Sequence, residues 1–221
     1  MEYIVKHIPV KVGKRSGRKM TPTSLTIHST ANKSSTAMNE RNWLVNPSNT
    51  RVASWHIAVD DKMAVEAIPL NEPSIHAGNG TGNTTSIGLE ICESGNRTVT
   101  INNAVKLSAK ILNERGWGIS KLVRHYDWSG KICPGIFSAN GWKLWVEFKV
   151  NVKKEMDKLD KPVIVTPPKV TPPKVIAPKP LADWEVSGRE YVMKHGISDG
   201  TDPRGTPTRA QVWSMIERMN K

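Results

Sequence analysis

Residues 160–182 read DKPVIVTPPKVTPPKVIAPKPLA, with VTPPK repeated in tandem at 165–169 and 170–174. Consecutive prolines lack N–H donors and favour polyproline II, so no helix can run through this segment. At about 3.1 Å per residue, such a spacer reaches roughly 70 Å. The 221-residue chain is long enough for one sizeable domain and a small one. The proline segment sets the division: a body at 1–159, a Pro- and Lys-rich linker at 160–182 and a tail at 183–221.

The body alternates strand-like and helix-like runs. SLTIHST (24–30) is rich in β-branched residues and reads as a strand, SSTAMNERNWLV (34–45) as a helix with Ser or Thr at its N-cap. SWHIAVDD (54–61) alternates apolar and polar residues as a half-buried strand does, and AVEAIPL, SIGLEICE and LVRHYDW read as further short strands. INNAVKLSAKILNERG (101–116) places Ile101, Ala104, Val105, Ala109 and Leu112 on one helical face, with Gly116 where a C-terminal cap belongs. GWKLWVEFKVNVKKEMDKL closes the body as a helix. The expected class is α/β, a central mixed β-sheet flanked by helices, followed by a small C-terminal helical module.

The formal net charge of +12 suits a polyanionic partner, either nucleic acid or an anionic cell wall. No apolar run of about 18 residues is present, so no membrane span is expected. The first twenty residues have charges among their apolar residues and no hydrophobic core of a signal peptide, so synthesis in the cytoplasm is expected. Two cysteines, Cys92 and Cys133, are too few for a disulfide scaffold and point to thiols or a metal ligand.

RHYDWSGKICPG (124–135) gathers His125, Lys131 and Cys133 in one short segment. A catalytic zinc takes three protein ligands from His, Cys or carboxylate side chains and leaves one position open. His125 and Cys133 supply two; His7, His28, His56, His76 and His195 are the candidates for the third. His28 lies at a strand end, where side chains often face a cleft.

TIHST, SWHIAVDD, SIGLEICE and HYDWSGKICPG, in this order and spacing, resemble the zinc-dependent N-acetylmuramoyl-L-alanine amidases of type 2, a family of phage endolysins related to the peptidoglycan recognition proteins. The resemblance runs from about residue 21 to 159. It implies that His28, His125 and Cys133 bind Zn2+ on the floor of a groove. It also implies cleavage of the amide between N-acetylmuramic acid and L-alanine. Glu90 matches the family's glutamate, and Lys131 matches a lysine that a phage enzyme carries two residues before the cysteine. Trp55 stands where some relatives have tyrosine, which leaves more of the catalysis to Glu90. The chemistry is coherent: zinc lowers the pKa of water from about 15.7 towards roughly 7, Glu90 takes and passes on the proton, and Lys131 with the metal stabilises the oxyanion. Trp55 and His76, in the loop IHAGNGTGN, are expected to line the groove and contact substrate; His56 is expected to pack, and Cys92 to be a buried free thiol.

The tail elements HGISDG and PTRAQV resemble part of an S-layer-homology repeat, which implies binding to an anionic secondary cell-wall polymer; self-association is the alternative. The expected activity is that of an endolysin acting on bacterial peptidoglycan after release from the host cytoplasm. A non-catalytic recognition protein of the same fold is the competing reading, and the intact His28, His125 and Cys133 set favours the enzyme. Nucleic acid is not an expected partner, because no aromatic–basic, helix-turn-helix or paired CxxC signal accompanies the charge.

Overall fold

The computed structural model describes residues 1–11, 13–159 and 183–197, with Val212, Met215 and Ile216 beyond them. The chain divides into two units, Met1–Ile164 and Val165–Lys221. The expected linker and most of the second half of the tail lie outside the described residues. In the second unit, Asp183–Lys194 forms a helix within the segment expected to hold a helical module.

One six-stranded sheet organises the first unit. Its strands are β1 (Glu2–Val5), β2 (Ser24–Ser29), β3 (Ile57–Val59), β4 (Met63–Glu66), β5 (Ser86–Ile91) and β6 (Leu122–Arg124), in the spatial order β1-β4-β3-β5-β2-β6. Only the β3–β4 pairing is antiparallel; β1–β4, β2–β5, β2–β6 and β3–β5 are parallel. The β3–β4 reversal is tight because Asp60 Oδ1 accepts the backbone N–H groups of Lys62 and Met63, each at 2.8 Å. The mixed sheet flanked by helices matches the class expected from the sequence.

The helices are α1 (Ala37–Val45), α2 (Gly80–Thr85), α3 (Arg97–Glu114), α4 (His125–Ser129) and α5 (Ala139–Leu159). Helices α1 and α3 have sequence-encoded starts, and α3 a sequence-encoded stop. Thr36 caps α1 by accepting from Asn39 N–H. Asn96 caps α3 through Val99 N–H, so that helix begins four residues before the apolar stripe that announced it. At its end Gly116 takes φ +64°; its N–H reaches Asn113 O and that of Trp117 reaches Leu112 O, a Schellman closure at the predicted glycine. Among the described residues no helix is long and apolar enough to cross a membrane.

Strand periodicity sorts the sheet's two faces. Leu25 and Ile27 of β2, Ile57 and Val59 of β3 and Ile87, Leu89 and Ile91 of β5 join α3 and α5 in the main core. Helix α5 contributes Trp145, Phe148, Val152 and Met156 to that core, and Phe137 lies 4.9 Å from Phe148, ring centre to ring centre. On the other face Ala58, Val65 and Cys92 pack against Ala37 of α1. Strand β3 is thus covered on both sides and fully buried, not half-buried as its alternation suggested; it lies inside the sheet between β4 and β5.

One strand had no counterpart in the sequence reading, and one expectation changes. β1 pairs with β4 at the sheet edge, where charged neighbours had hidden a strand. LVRHYDW is not one strand: β6 stops at Arg124, and His125 opens α4. Asp127 ends the strand there, its Oδ2 accepting Arg124 N–H at 2.7 Å while its Oδ1 takes the Arg124 guanidinium. Gly130, at φ +75°, then closes the short helix.

The core predicts its own weak point. Phe148→Ala removes a ring held between Phe137 and Trp145 and is expected to cost about 3–5 kcal/mol, read as a lowered denaturation midpoint in urea.

Candidate active site

Because β2 and β5 are parallel and in register, His28 and Glu90 are direct cross-strand partners. Both point away from the α3–α5 core. β6 lies on the other side of β2, and its abrupt end delivers His125 to the same place. Cys133 arrives by the return of the chain after α4, fastened by Tyr126 N–H to Cys133 O at 3.1 Å. Two parallel-strand ends and one helix start thus converge at the carboxyl edge of the sheet, where ligands of such sheets bind.

Nδ1 of His28 and Nδ1 of His125 are 3.1 Å apart, and Sγ of Cys133 lies 3.8 Å from Nδ1 of His28. The ligand atoms of the three residues all fall within 4.8 Å of one another. Zinc bond lengths of roughly 2.0–2.1 Å to nitrogen and 2.3 Å to sulfur imply tetrahedral edges of about 3.3 Å between nitrogens and 3.6 Å between nitrogen and sulfur. The observed spacings sit close to both, so the donor set fits a single ion of that kind. Two imidazole nitrogens and one thiol, all buried, suit a borderline-soft cation better than calcium or magnesium.

Burial sets the protonation of the cluster. It drives the His28 pKa well below the ordinary histidine value, helped by neighbouring His76, His125 and Lys131. Burial and then Lys131 bring His125 down to about 4, against the pull of the Ala77 carbonyl. Both rings are therefore neutral near pH 7, with lone pairs available to a cation. The Cys133 thiol is pushed up to about 11, by burial first and Glu90 second; a bound cation would take the place of its proton.

Glu90 places Oε1 4.0 Å from Nδ1 of His28. Its Oε2 is buried without a hydrogen-bond partner. Burial, followed by the nearby Glu40 carboxylate, pushes its pKa up to about 8, while Lys131 and Arg51 pull the other way. An orphaned carboxylate oxygen beside a candidate metal centre, with a proton affinity near neutrality, has the attributes of a general acid–base.

The cluster lies in a groove of about 690 Å³ whose lining includes Glu90, Trp55, Lys131 and His76. All seven residues singled out in the sequence are thus at one place. Trp55 is half-buried, packed between the Leu44 and Ala37 clusters, with Nε1 buried and unpartnered. His76 lines the groove as expected but is itself buried, and its ring nitrogens face His28 Nε2 at 2.9 Å and Ser86 O at 3.2 Å. His56 is structural, its Nε2 donating to Glu72 O at 2.7 Å and its Nδ1 accepting from Gly88 N–H at 2.8 Å. Cys92 is a buried free thiol.

The far wall was not read from the sequence. Helix α1 supplies Asn39, Glu40 and Trp43 to it, and the following loop supplies Asn49 and Arg51. Glu40 was findable: Ala37, Glu40 and Leu44 are the buried residues of α1, so a glutamate stands on an otherwise apolar helical stripe.

The profile of the family described as N-acetylmuramoyl-L-alanine amidase matches residues 18–136. The amidase CwlA of Bacillus subtilis (strain 168) is 41% identical over 156 residues, covering 67% of this chain and 56% of that protein. XlyB of the same organism is 41% identical over 145 residues, covering 62% and 44%. The chain therefore spans about half the length of these relatives. Among solved structures, the catalytic domain of XlyA aligns with a TM-score of 0.63 at 37% identity, covering 69% of this chain and 99% of that one. PlyL aligns at 0.62 and 35%, covering 70% and 99%.

Proposed function

We propose, since the chain belongs to the N-acetylmuramoyl-L-alanine amidase family, that it hydrolyses the amide between N-acetylmuramic acid and the L-alanine of the peptidoglycan stem peptide. The observation that carries this reading is the convergence of His28, His125 and Cys133 beside Glu90 on the groove floor. Nδ1 of His28, Nδ1 of His125 and Sγ of Cys133 would hold zinc. When bound, zinc supplies Lewis acidity and a water that ionises near neutral pH.

The chain's own groups do the rest. Glu90, held by burial near neutral proton affinity, accepts a proton from the attacking water and returns it to the departing amine of L-alanine. That return is needed because an amide nitrogen does not leave as an anion. Lys131 brings a positive charge to the groove beside Cys133 and stabilises negative charge on the carbonyl oxygen as it becomes tetrahedral. Trp55 and the α1 wall hold the ends of the substrate. No tyrosine acts from position 55, where Trp55 stands before His56. The tail, with its S-layer-homology-like elements, binds an anionic secondary polymer of the wall, and the net charge of +12 favours that surface. The protein acts as an endolysin on the cell wall after release from the host cytoplasm.

Elemental analysis is expected to give about one zinc per chain, and Cys133→Ser to weaken binding because a hydroxyl is a poorer ligand than a thiolate. Full zinc-free activity on muropeptides, indifferent to chelator, would rule out the metal reading.

Glu90→Ala is expected to keep its zinc and lose about 10²–10⁴-fold in turnover, Lys131→Ala less. Mass spectrometry of digested peptidoglycan should show free lactyl groups on muramic acid and new L-alanine amino termini; other cleavage products would reject the amidase assignment.

Cutting the chain after Leu159 retains the whole α3–α5 core. The shortened protein is expected to cleave soluble muropeptides at the full-length rate but intact walls more slowly, because the tail raises local concentration at the wall. Equal rates on intact walls would show that the tail does not target, and concentration-dependent mass of the isolated tail would point to self-association.

A further inference from the structure

We infer that His76, held in a strap clamped by Asn83, orients the His28 ligand of the metal cluster; this rests on the metal reading above. The argument begins with an atom that cannot donate. Ser86 O accepts only, and it lies 3.2 Å from Nε2 of His76, so that nitrogen carries the ring's proton. His76 is buried among His28, His56 and the β5 backbone, with no carboxylate among the described residues hydrogen-bonded to its ring, and stays neutral. A neutral imidazole has one N–H, so Nδ1 of His76 accepts. Its partner, Nε2 of His28 at 2.9 Å, must donate. The lone pair of His28 is then left on Nδ1, the atom that faces His125 and Cys133.

The strap also passes close to the second histidine: an ideal Cβ on Gly78 would sit 3.4 Å from Nε2 of His125, whose Nδ1 faces His28. The His76 side chain thus sets the tautomer and ring plane of the His28 ligand, as outer groups commonly do around bound metals.

The strap is itself fixed. Oδ1 of Asn83 accepts the N–H of His76 at 2.9 Å and that of Ala77 at 2.7 Å. The His76 ring lies directly on β5 at Gly88, where an ideal Cβ would come within 2.7 Å of Cγ of the ring. Only a glycine lets the imidazole approach that close. Both ring nitrogens of His76 are engaged, one by His28 and one by Ser86 O, which makes it a positioning residue.

The test uses full-length protein stripped of metal and titrated with zinc against a chromophoric chelator, and separately with cobalt for its visible absorption. His76→Ala and Asn83→Ala are expected to weaken zinc affinity by about 10–100-fold and to alter the cobalt spectrum. His76→Gln, whose amide oxygen can accept from Nε2 of His28, is expected to recover part of the loss. KM for soluble muropeptides at saturating zinc should stay near the parent value. Unchanged zinc affinity and cobalt spectrum in His76→Ala and Asn83→Ala would overturn the strap while leaving the metal reading intact. Unchanged affinity with a raised KM would make His76 a substrate contact instead. A parent protein that takes up neither metal would remove the metal reading and the strap with it. Should His76→Ala not fold, His76→Gln and Asn83→Ala decide the matter by the same two readouts.

Discussion

The two-residue period of β2 and β5 is the constraint from which the rest follows. Leu25, Ile27, Ile87, Leu89 and Ile91 need an apolar partner, and α3 and α5 provide it. Once that face is committed, Thr26, His28, Gly88 and Glu90 must point the other way. A slip of one residue in either strand would bury the chemistry in the α3–α5 core and expose the core residues to the groove. The parallel register then brings His28 opposite Glu90 at no additional cost, because the same backbone pairing that holds the sheet also sets the distance between this imidazole and the carboxylate.

The second face is where polar groups tolerate burial, and it does so by a chain of hydrogen bonds. Trp128 Nε1–H reaches Thr26 Oγ1 at 2.9 Å, Thr26 reaches Ser86 Oγ at 2.8 Å, and Ser86 reaches Gly82 O at 2.7 Å. Beside this chain stand four buried imidazoles, His28, His56, His76 and His125. Their surroundings remove water and lower their affinity for protons. The same loss of water raises the proton affinity of Glu90. One environment therefore moves imidazole and carboxylate in opposite senses, which is the separation that metal binding and proton transfer both require.

Much of this was legible in the sequence for physical reasons. Runs such as SLTIHST and SIGLEICE announce strands through β-branched residues, and Gly116 announces a helix end because φ +64° is costly for other residues. The family resemblance named His28, His125, Cys133, Glu90 and Lys131, and the fold brings all five to one groove. What stayed hidden depended on tertiary contacts. His76 looks like a loop histidine until β5 is seen to pass beneath it. Glu40 looks like an ordinary helical glutamate until α1 is docked with that side inward. The end of β6 depended on one carboxylate, Asp127, turning back on Arg124 N–H, and hydropathy carries no trace of it.

His28 stands 97 positions before His125 and 105 before Cys133. An ion held by these three would therefore tie the second strand of the sheet to segments near the end of the body, closing a loop through most of its sequence. Crosslinks across long loops act chiefly on the unfolded chain, whose freedom they curtail. The cluster would then serve as a reversible staple as well as a reaction centre. The resistance of the body to unfolding would track the free concentration of the ion in its surroundings.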